Sequence, residues 1–545
     1  MSHKEIIKHL LHARGLKTTQ AQQDFLQPSY ENLADPLLLP DMEISCTRIA
    51  EAIQKKQKIA LYGDYDIDGL SATTLLQDFF TSIHVDVLAF IPNRFDDGYG
   101  LNKTALKNLH KKGIQLLITV DCGTQSVEEV SYAHSLGLDI IITDHHMVGK
   151  SLPAAVAVIN PKRTDHTYPF RDFSGVGVAF QLVRALQAQK IGPKDGQEKW
   201  LLDLVALGTI CDIVSLTGEN RILAKWGLEV MKKTRRPGLR ALLAVARIEP
   251  KDITARSVGF GLGPRLNASG RLETAQLSLD LLTCTDMQTA FQLAQRLDEL
   301  NTKRRQEQQN IFEIAKEKAQ ARSQDNVLVL SDPAWNHGIN GIVASKLMEL
   351  YKKPVFVLQE IGQETKGSAR SFGDFSVGEA VSAAQQYITT GGGHHAAAGV
   401  TLPTKNIDAF RTKINQFYSD LQLKNQENFL KPTADIALED ISLLDEELVE
   451  LLYQLEPYGN DNPQPIFLLP RMTVTNVYIM GDSKQHIKLT LTDNNTASIQ
   501  AVAFSAPEHF FVTTGDICSI WMTVSINEWR GNRAVEGRLI ELLVI

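Results

Sequence analysis

The stretch DYDIDG sets Asp64, Asp66 and Asp68 on alternate residues directly behind the apolar run KIALY at 58–62. Carboxylates brought this close repel one another, and withdrawing them from water costs several kcal/mol each unless a cation or hydrogen bonds compensate. Bound metal is the chemistry these residue types suggest. An acidic surface turn is the bland alternative. The calcium loop of an EF-hand is excluded, because its twelfth position needs a bidentate Glu and here holds Leu75; it must also follow a helix, whereas 58–62 reads as a short buried strand.

Three further acidic groups stand at comparable points. QLLITVDCG ends in Asp121, LDIIITDHH ends in Asp144, His145 and His146, and LGTICDIVSL places Asp212 at or near the end of a helical segment containing 200–207. Each alone could be a cap or turn residue. Together they offer oxygen ligands and one or two imidazoles, a set suited to Mn2+ or Mg2+. A pair of such ions could neutralise the cluster and activate water for attack on phosphorus. Adjacent histidines on a loop project differently, so His145 is read as the ligand and His146 as an outer group or phosphate contact.

The elements that must position these groups follow from hydrophobic periodicity. Strands are expected near 58–62, 85–91, 115–120, 138–143 and 155–159 with helices between most of them, the pattern of a parallel sheet covered on both faces. Ligands of such sheets sit beyond the carboxyl ends of the strands, where the acids fall. From about 161 the chain is mostly helical. The long run 286–322, free of Gly and Pro, predicts one helix joining two lobes. A second α/β unit follows from about 326 to 421 and carries KGSARS at 366–371 and GGGHHAAAG at 391–399. Its glycines would let backbone amides approach an anion, with Arg370 and His394 as charged donors. After LEPYGNDNPQP at 455–465 about five strands remain, enough for a small barrel of the OB type. Tyr478, Phe504 and Trp529 are its candidate base-stacking aromatics, against the alternative of core packing.

Bulk properties agree. The 545 residues, 43% hydrophobic and 22% charged, are ordinary globular composition with room for three or four domains. No run of eighteen apolar residues appears, and MSHKEIIKHLLHARGL is an amphipathic helix pattern, so no membrane span or secretory signal is expected. The five scattered cysteines lack any CxxC, which fits a reducing cytoplasm. A formal net charge of −7 speaks against a general polyanion binder. The basic clusters at 232–240 and 303–305 could still touch phosphate or face solvent.

DYDIDG, PNRFDDGYGL, TVDCG, TDHH, LGTICDIVSL, GPRLNASGR, KGSARS and GGGHHAAAG occur in this order, and the ordered set resembles the DHH phosphoesterases that carry a DHHA1 domain. The likeness extends over nearly the whole chain. It implies an N-terminal helical segment at 1–50, a DHH catalytic domain at 51–285, a connecting helix at 286–322, a DHHA1 domain at 323–430, and a linker with an OB barrel at 431–545. The resemblance is to members that degrade single-stranded DNA from the 5′ end with Mn2+ or Mg2+ in DNA repair and recombination. By that likeness Asp66, Asp68, Asp121, His145 and Asp212 are metal ligands, Asp64 supports them, and His146 sits near the scissile phosphate. Arg94, Arg265, Arg271, Ser368 and Arg370 would grip the DNA backbone or its 5′ end, and His394 would assist at the phosphate. Tyr478 and Trp529 would contact DNA on the barrel. The implied partners are single-stranded DNA, a single-strand-binding protein and a helicase, for a cytoplasmic monomer. A phosphatase or short-oligonucleotide hydrolase of the same chemistry, or an inactive DNA-binding scaffold, are the rivals. Ile67, Asn340 and Asp461 depart from the usual family residues.

Overall fold

The computed structural model describes residues 1–93, 100–423, 433–481, 484–494, 497–529 and 531–545, with the side chain of Trp529 outside the description. Two compact units share the chain. The first comprises 1–267, 275–295 and 432–545; the second comprises 268–274 and 296–431.

In the first unit, five short apolar strands form the predicted sheet: β1 (Ile59–Gly63), β2 (Val87–Phe90), β3 (Leu116–Val120), β4 (Asp139–Thr143) and β5 (Ala157–Ile159), in the order β2-β1-β3-β4-β5. All four pairings are parallel. β1 and β3 are buried along their whole length, as strands covered on both faces must be. β1 and β3 are neighbours, and β4 flanks β3, so acids that follow three separate strands emerge along one edge of the sheet.

The C-terminal strands of the same unit close a barrel. They are β11 (Ile436–Ala437), β12 (Phe467–Met480), β13 (His486–Thr492), β14 (Ser498–Ala503), β15 (Ile517–Trp529) and β16 (Asn532–Val544). Their order is β11-β12-β13-β14-β16-β15, and an added β12–β15 pairing shuts the ring. The barrel core holds Phe467, Leu469, Leu489 and Ile520 together with Ile6, Leu10, Leu11 and Phe25. The first two N-terminal helices, His3–Ala13 and Thr19–Leu26, therefore belong to the barrel's core, although more than 400 residues of sequence intervene. The third, Met42–Gln54, packs on β5 and on the helix Gly175–Ala188 instead. The 1–50 stretch is thus divided between two cores.

The second unit carries the long helix Met287–Gln320 from residue 296 onward and a mixed sheet of order β6-β7-β8-β10-β9. Its strands are β6 (Leu328–Asp332), β7 (Val355–Ile361), β8 (Glu364–Arg370), β9 (Thr390–Gly393) and β10 (Ala397–Pro403). Among the described residues no helix is long and apolar enough to cross a membrane.

Candidate metal centre

The turn after β1 is built by its own acids. Asp66 caps the helix Ile67–Ser82, its Oδ1 accepting from Asp68 N at 2.9 Å and Gly69 N at 3.1 Å. Asp68, in the first turn of that helix, accepts from the backbone N–H groups of Gly175 at 2.5 Å and Val176 at 2.9 Å, at the start of the helix Gly175–Ala188. A helix N-terminus favours a carboxylate. Asp121, beyond β3, adopts left-handed backbone with φ 61°, tolerable for Asp and costly for most residues. Asp212 follows the helix Leu202–Cys211 as its C-cap, as the sequence suggests. Two close approaches fix the cluster from behind: a Cβ on Gly175 would lie 2.6 Å from that of Asp121, and one on Gly208 would lie 2.7 Å from Asp68 Oδ1.

His145 stands at the centre. Its Nε2 is 3.1 Å from Asp121 Oδ1, 3.7 Å from Asp212 Oδ2 and 3.8 Å from Asp68 Oδ2. Neither that nitrogen nor Asp121 Oδ1 makes a hydrogen bond, although both are buried. Candidate ligand atoms of Asp68, His145 and Asp212 lie within 4.8 Å of one another, as do those of Asp64, Asp66 and Asp121, and those of Asp121, His145 and His146. Asp121 belongs to two of these groups, and His145 links them to the one formed with Asp68 and Asp212.

Burial and like charge govern the electrostatics of the cluster. Burial, then the neighbouring Asp66, pushes the Asp68 carboxyl up to about 7. Burial, then Asp68, raises Asp212 to about 9 and carries Asp121 well above the usual carboxylate range. Burial, then His146, lowers His145 to about 4. Water-accessible capping groups would show no such strain. Crowded buried carboxylates around a neutral imidazole, one oxygen of Asp121 without a hydrogen bond, are the donor set a hard divalent cation requires, so the residues present fit Mn2+ or Mg2+.

Asp144 is the contributor that sequence reasoning left without a role. Buried, it accepts from Thr124 N at 2.9 Å, from His145 N at 2.7 Å and His146 N at 3.1 Å, and lies 2.7 Å from His146 Nδ1. Burial opposes its ionisation, but the hydrogen bond and charge of His146 prevail and its pKa falls. The same pair raises His146 despite the burial of the ring. The TDHH spelling carried this signal, because an acid two residues before a histidine can fold back on it.

The other expected residues are placed as follows. Arg94 lies outside the described residues. Arg265 Nη1 donates to Gly261 O at 2.7 Å, within the first unit. Arg271, Ser368, Arg370 and His394 belong to the second unit. There Arg271 Nη1 donates to Gly338 O at 3.0 Å. Ser368 and Arg370 lie on β8 beside Gly341, and Arg370 pairs in register with Ala397, near the exposed hairpin that carries His394. On the barrel, Tyr478 and Phe504 are each 63% exposed, so neither is core; Phe504 stacks edge-on against His486 at 5.5 Å. Two of the five cations at 232–240 are paired with acids: Lys232 with Glu229, and Arg236 with Asp78 and Asp203. Arg304 of the second cluster is buried between Asn301 and Gln308.

Residues 58–209 match the DHH family, N-terminal domain, residues 324–420 the DHHA1 domain, and residues 434–541 the RecJ OB domain. The single-stranded-DNA-specific exonuclease RecJ of Bacillus subtilis is 36% identical over 97% of this chain, which spans 66% of that relative's length. The enzyme of the same name from Dickeya dadantii is 32% identical, with 97% of this chain and 94% of the relative covered. A crystal structure of RecJ from Thermus thermophilus in complex with Mn2+ superposes with a TM-score of 0.83 at 28% identity, covering 99% of this chain and 76% of that one. Its Mg2+ complex gives 0.77 at 26% identity, covering 98% of this chain and 74% of that one. The chain belongs to the RecJ family of single-stranded-DNA-specific exonucleases.

Proposed function

We propose that this chain is a metal-dependent exonuclease that removes nucleotides from the 5′ end of single-stranded DNA. The observation that carries the reading is the placement of His145 Nε2 within 3.8 Å of three carboxylates that come from three separate elements. Asp66, Asp68, Asp121, His145 and Asp212 hold Mn2+ or Mg2+, with Asp64 beside Asp66 and Asp121. When bound, the ions supply Lewis-acid polarisation of a phosphoryl oxygen and a hydroxide at neutral pH.

The rest is the work of this chain's own side chains. Asp144, 2.7 Å from His146 Nδ1, orients that imidazole and favours its charged form, which suits it to contact the scissile phosphate. Helix N-termini at Ile67 and Gly175 hold Asp66 and Asp68 in place. Arg94, Arg265, Arg271, Ser368, Arg370 and His394 contact the phosphates of the strand and its 5′ end, which makes binding sequence-tolerant and salt-dependent. On the barrel, the exposed Tyr478, together with Trp529, stacks on bases further along the strand. Repair and recombination in the cytoplasm is the setting, with a single-strand-binding protein and a helicase delivering substrate to a monomer. The barrel favours this reading over a mononucleotide phosphatase, which has no need of a stacking surface.

End-labelled single-stranded and duplex DNA, presented with each polarity in Mn2+, Mg2+ or chelator, tests the proposal. Release of label from the 5′ end of single strands alone, abolished by chelator, is expected. Equal cleavage of duplex, or turnover in chelator, overturns it.

A further inference from the structure

The stretch LEPYGNDNP reads as a linker, yet side chains bond its backbone at several points. Asn462 is fully buried and uses every polar atom of its side chain: Nδ2 donates to Leu455 O and Pro457 O, each at 2.9 Å, and Oδ1 accepts from Arg14 Nε at 2.9 Å. Arg14 also donates to Pro463 O at 2.6 Å. From the catalytic side comes Arg221, 2% exposed, whose guanidinium donates to Leu455 O at 2.8 Å, Gln454 O at 3.0 Å and Phe25 O at 3.0 Å and lies 3.8 Å above the Phe25 ring. A buried guanidinium bonded to carbonyls of two distant segments fixes their mutual placement, since each bond lost leaves a buried oxygen unpaired.

The same turn is fastened to the chain that follows Asp212. Leu216 N donates to Asn460 O at 2.9 Å, and a Cβ on Gly459 would meet Leu216 Cδ1 at 2.5 Å. Between Asp212 and Leu216 the backbone is strained: Ile213, a β-branched residue 70% exposed to solvent, holds φ at 60°. Such a conformation costs about 1–3 kcal/mol and persists only where the surroundings over-determine it. Its anchors are Asn220, which donates to Ser215 O at 3.0 Å from the catalytic side, and Asn460 from the barrel side.

We propose that the 454–463 turn is a keystone through which the barrel sets the position of Asp212, and that Asn462 and Arg221 are positioning residues for the metal centre. The barrel then supports the metal centre in addition to offering a stacking surface for the strand. The inference rests on the reading of Asp212 as a metal ligand.

Gly459→Ala tests it in the full chain. Gly459 has an ordinary φ, so the added methyl acts by pressing on Leu216. Mn2+ titration followed by electron paramagnetic resonance should show at least one site weakened by about tenfold, the range for displaced support of a ligand. The double variant Gly459→Ala/Leu216→Ala, which removes the struck atom, should regain most of that affinity. Arg221→Lys keeps the charge but cannot span three carbonyls, and should move the same titration in the same direction. Cleavage of the p-nitrophenyl ester of thymidine 5′-phosphate should lose kcat in parallel, because no barrel contact to a long strand is involved. Unchanged Mn2+ affinity in folded Gly459→Ala and Arg221→Lys overturns the proposal, and so does a defect that Leu216→Ala fails to relieve. A wild-type chain that binds no Mn2+ would instead sink the functional reading itself.

Discussion

Two buried polar clusters of the first unit obey opposite rules. Around Asn462 and Arg221 every side-chain donor finds an acceptor, and the carbonyls they reach come from segments far apart in sequence. Around His145 the carboxylates face one another, two buried atoms go without hydrogen bonds, and burial with like charge pushes acid pKa values upward. A satisfied polar cluster is architecture, because its bonds repay desolvation within the fold. An unsatisfied one is a demand for a ligand.

The comparison can be broken most severely at Asp121. Asp121→Asn should abolish Mn2+ binding and lower cleavage by roughly a thousandfold or more. Yet the chelated protein should melt at a higher temperature than the chelated wild type, since one buried like charge is gone. A fall in that melting temperature would mean the cluster is stabilised by its own bonds. Asn462→Ala should do the reverse, destabilising the fold by about 2–4 kcal/mol through three lost hydrogen bonds, with or without metal, as measured by denaturant unfolding. Asp144→Asn lies between the two. It leaves the ion-facing groups in place but frees His146, and should lower kcat by about 10–100-fold with KM little changed. The smallest effect is expected at Asn340, fully buried in the helix His337–Tyr351 with neither amide atom hydrogen-bonded. Asn340→Leu should stabilise the second unit by about 1 kcal/mol and leave cleavage alone.

The departures from family pattern find physical accounts of different quality. The backbone of Asp461 lies in the left-handed region at φ 56°, which Asp tolerates better than most residues. Ile67 is buried behind the acid turn, where its Cδ1 lies 3.6 Å from the Cβ position of Gly263. For Asn340 nothing in the structure explains the amide.

Most of the catalytic half was legible in the amino-acid order. Short apolar runs bounded by acids, with helical periods between, specify strand, turn and helix locally, and the five strands of the parallel sheet and the long helix fall where periodicity puts them. The identities of the clustered acids and histidines were readable for the same reason: each sits at the end of a local element. The tertiary structure alone decided that two N-terminal helices complete the core of a barrel at the other end of the chain, and that an apparent linker is a buried junction. Periodicity reports the face a residue presents and says nothing of which distant surface covers it. That choice depends on strand order and on the pairing of buried polar groups across the fold.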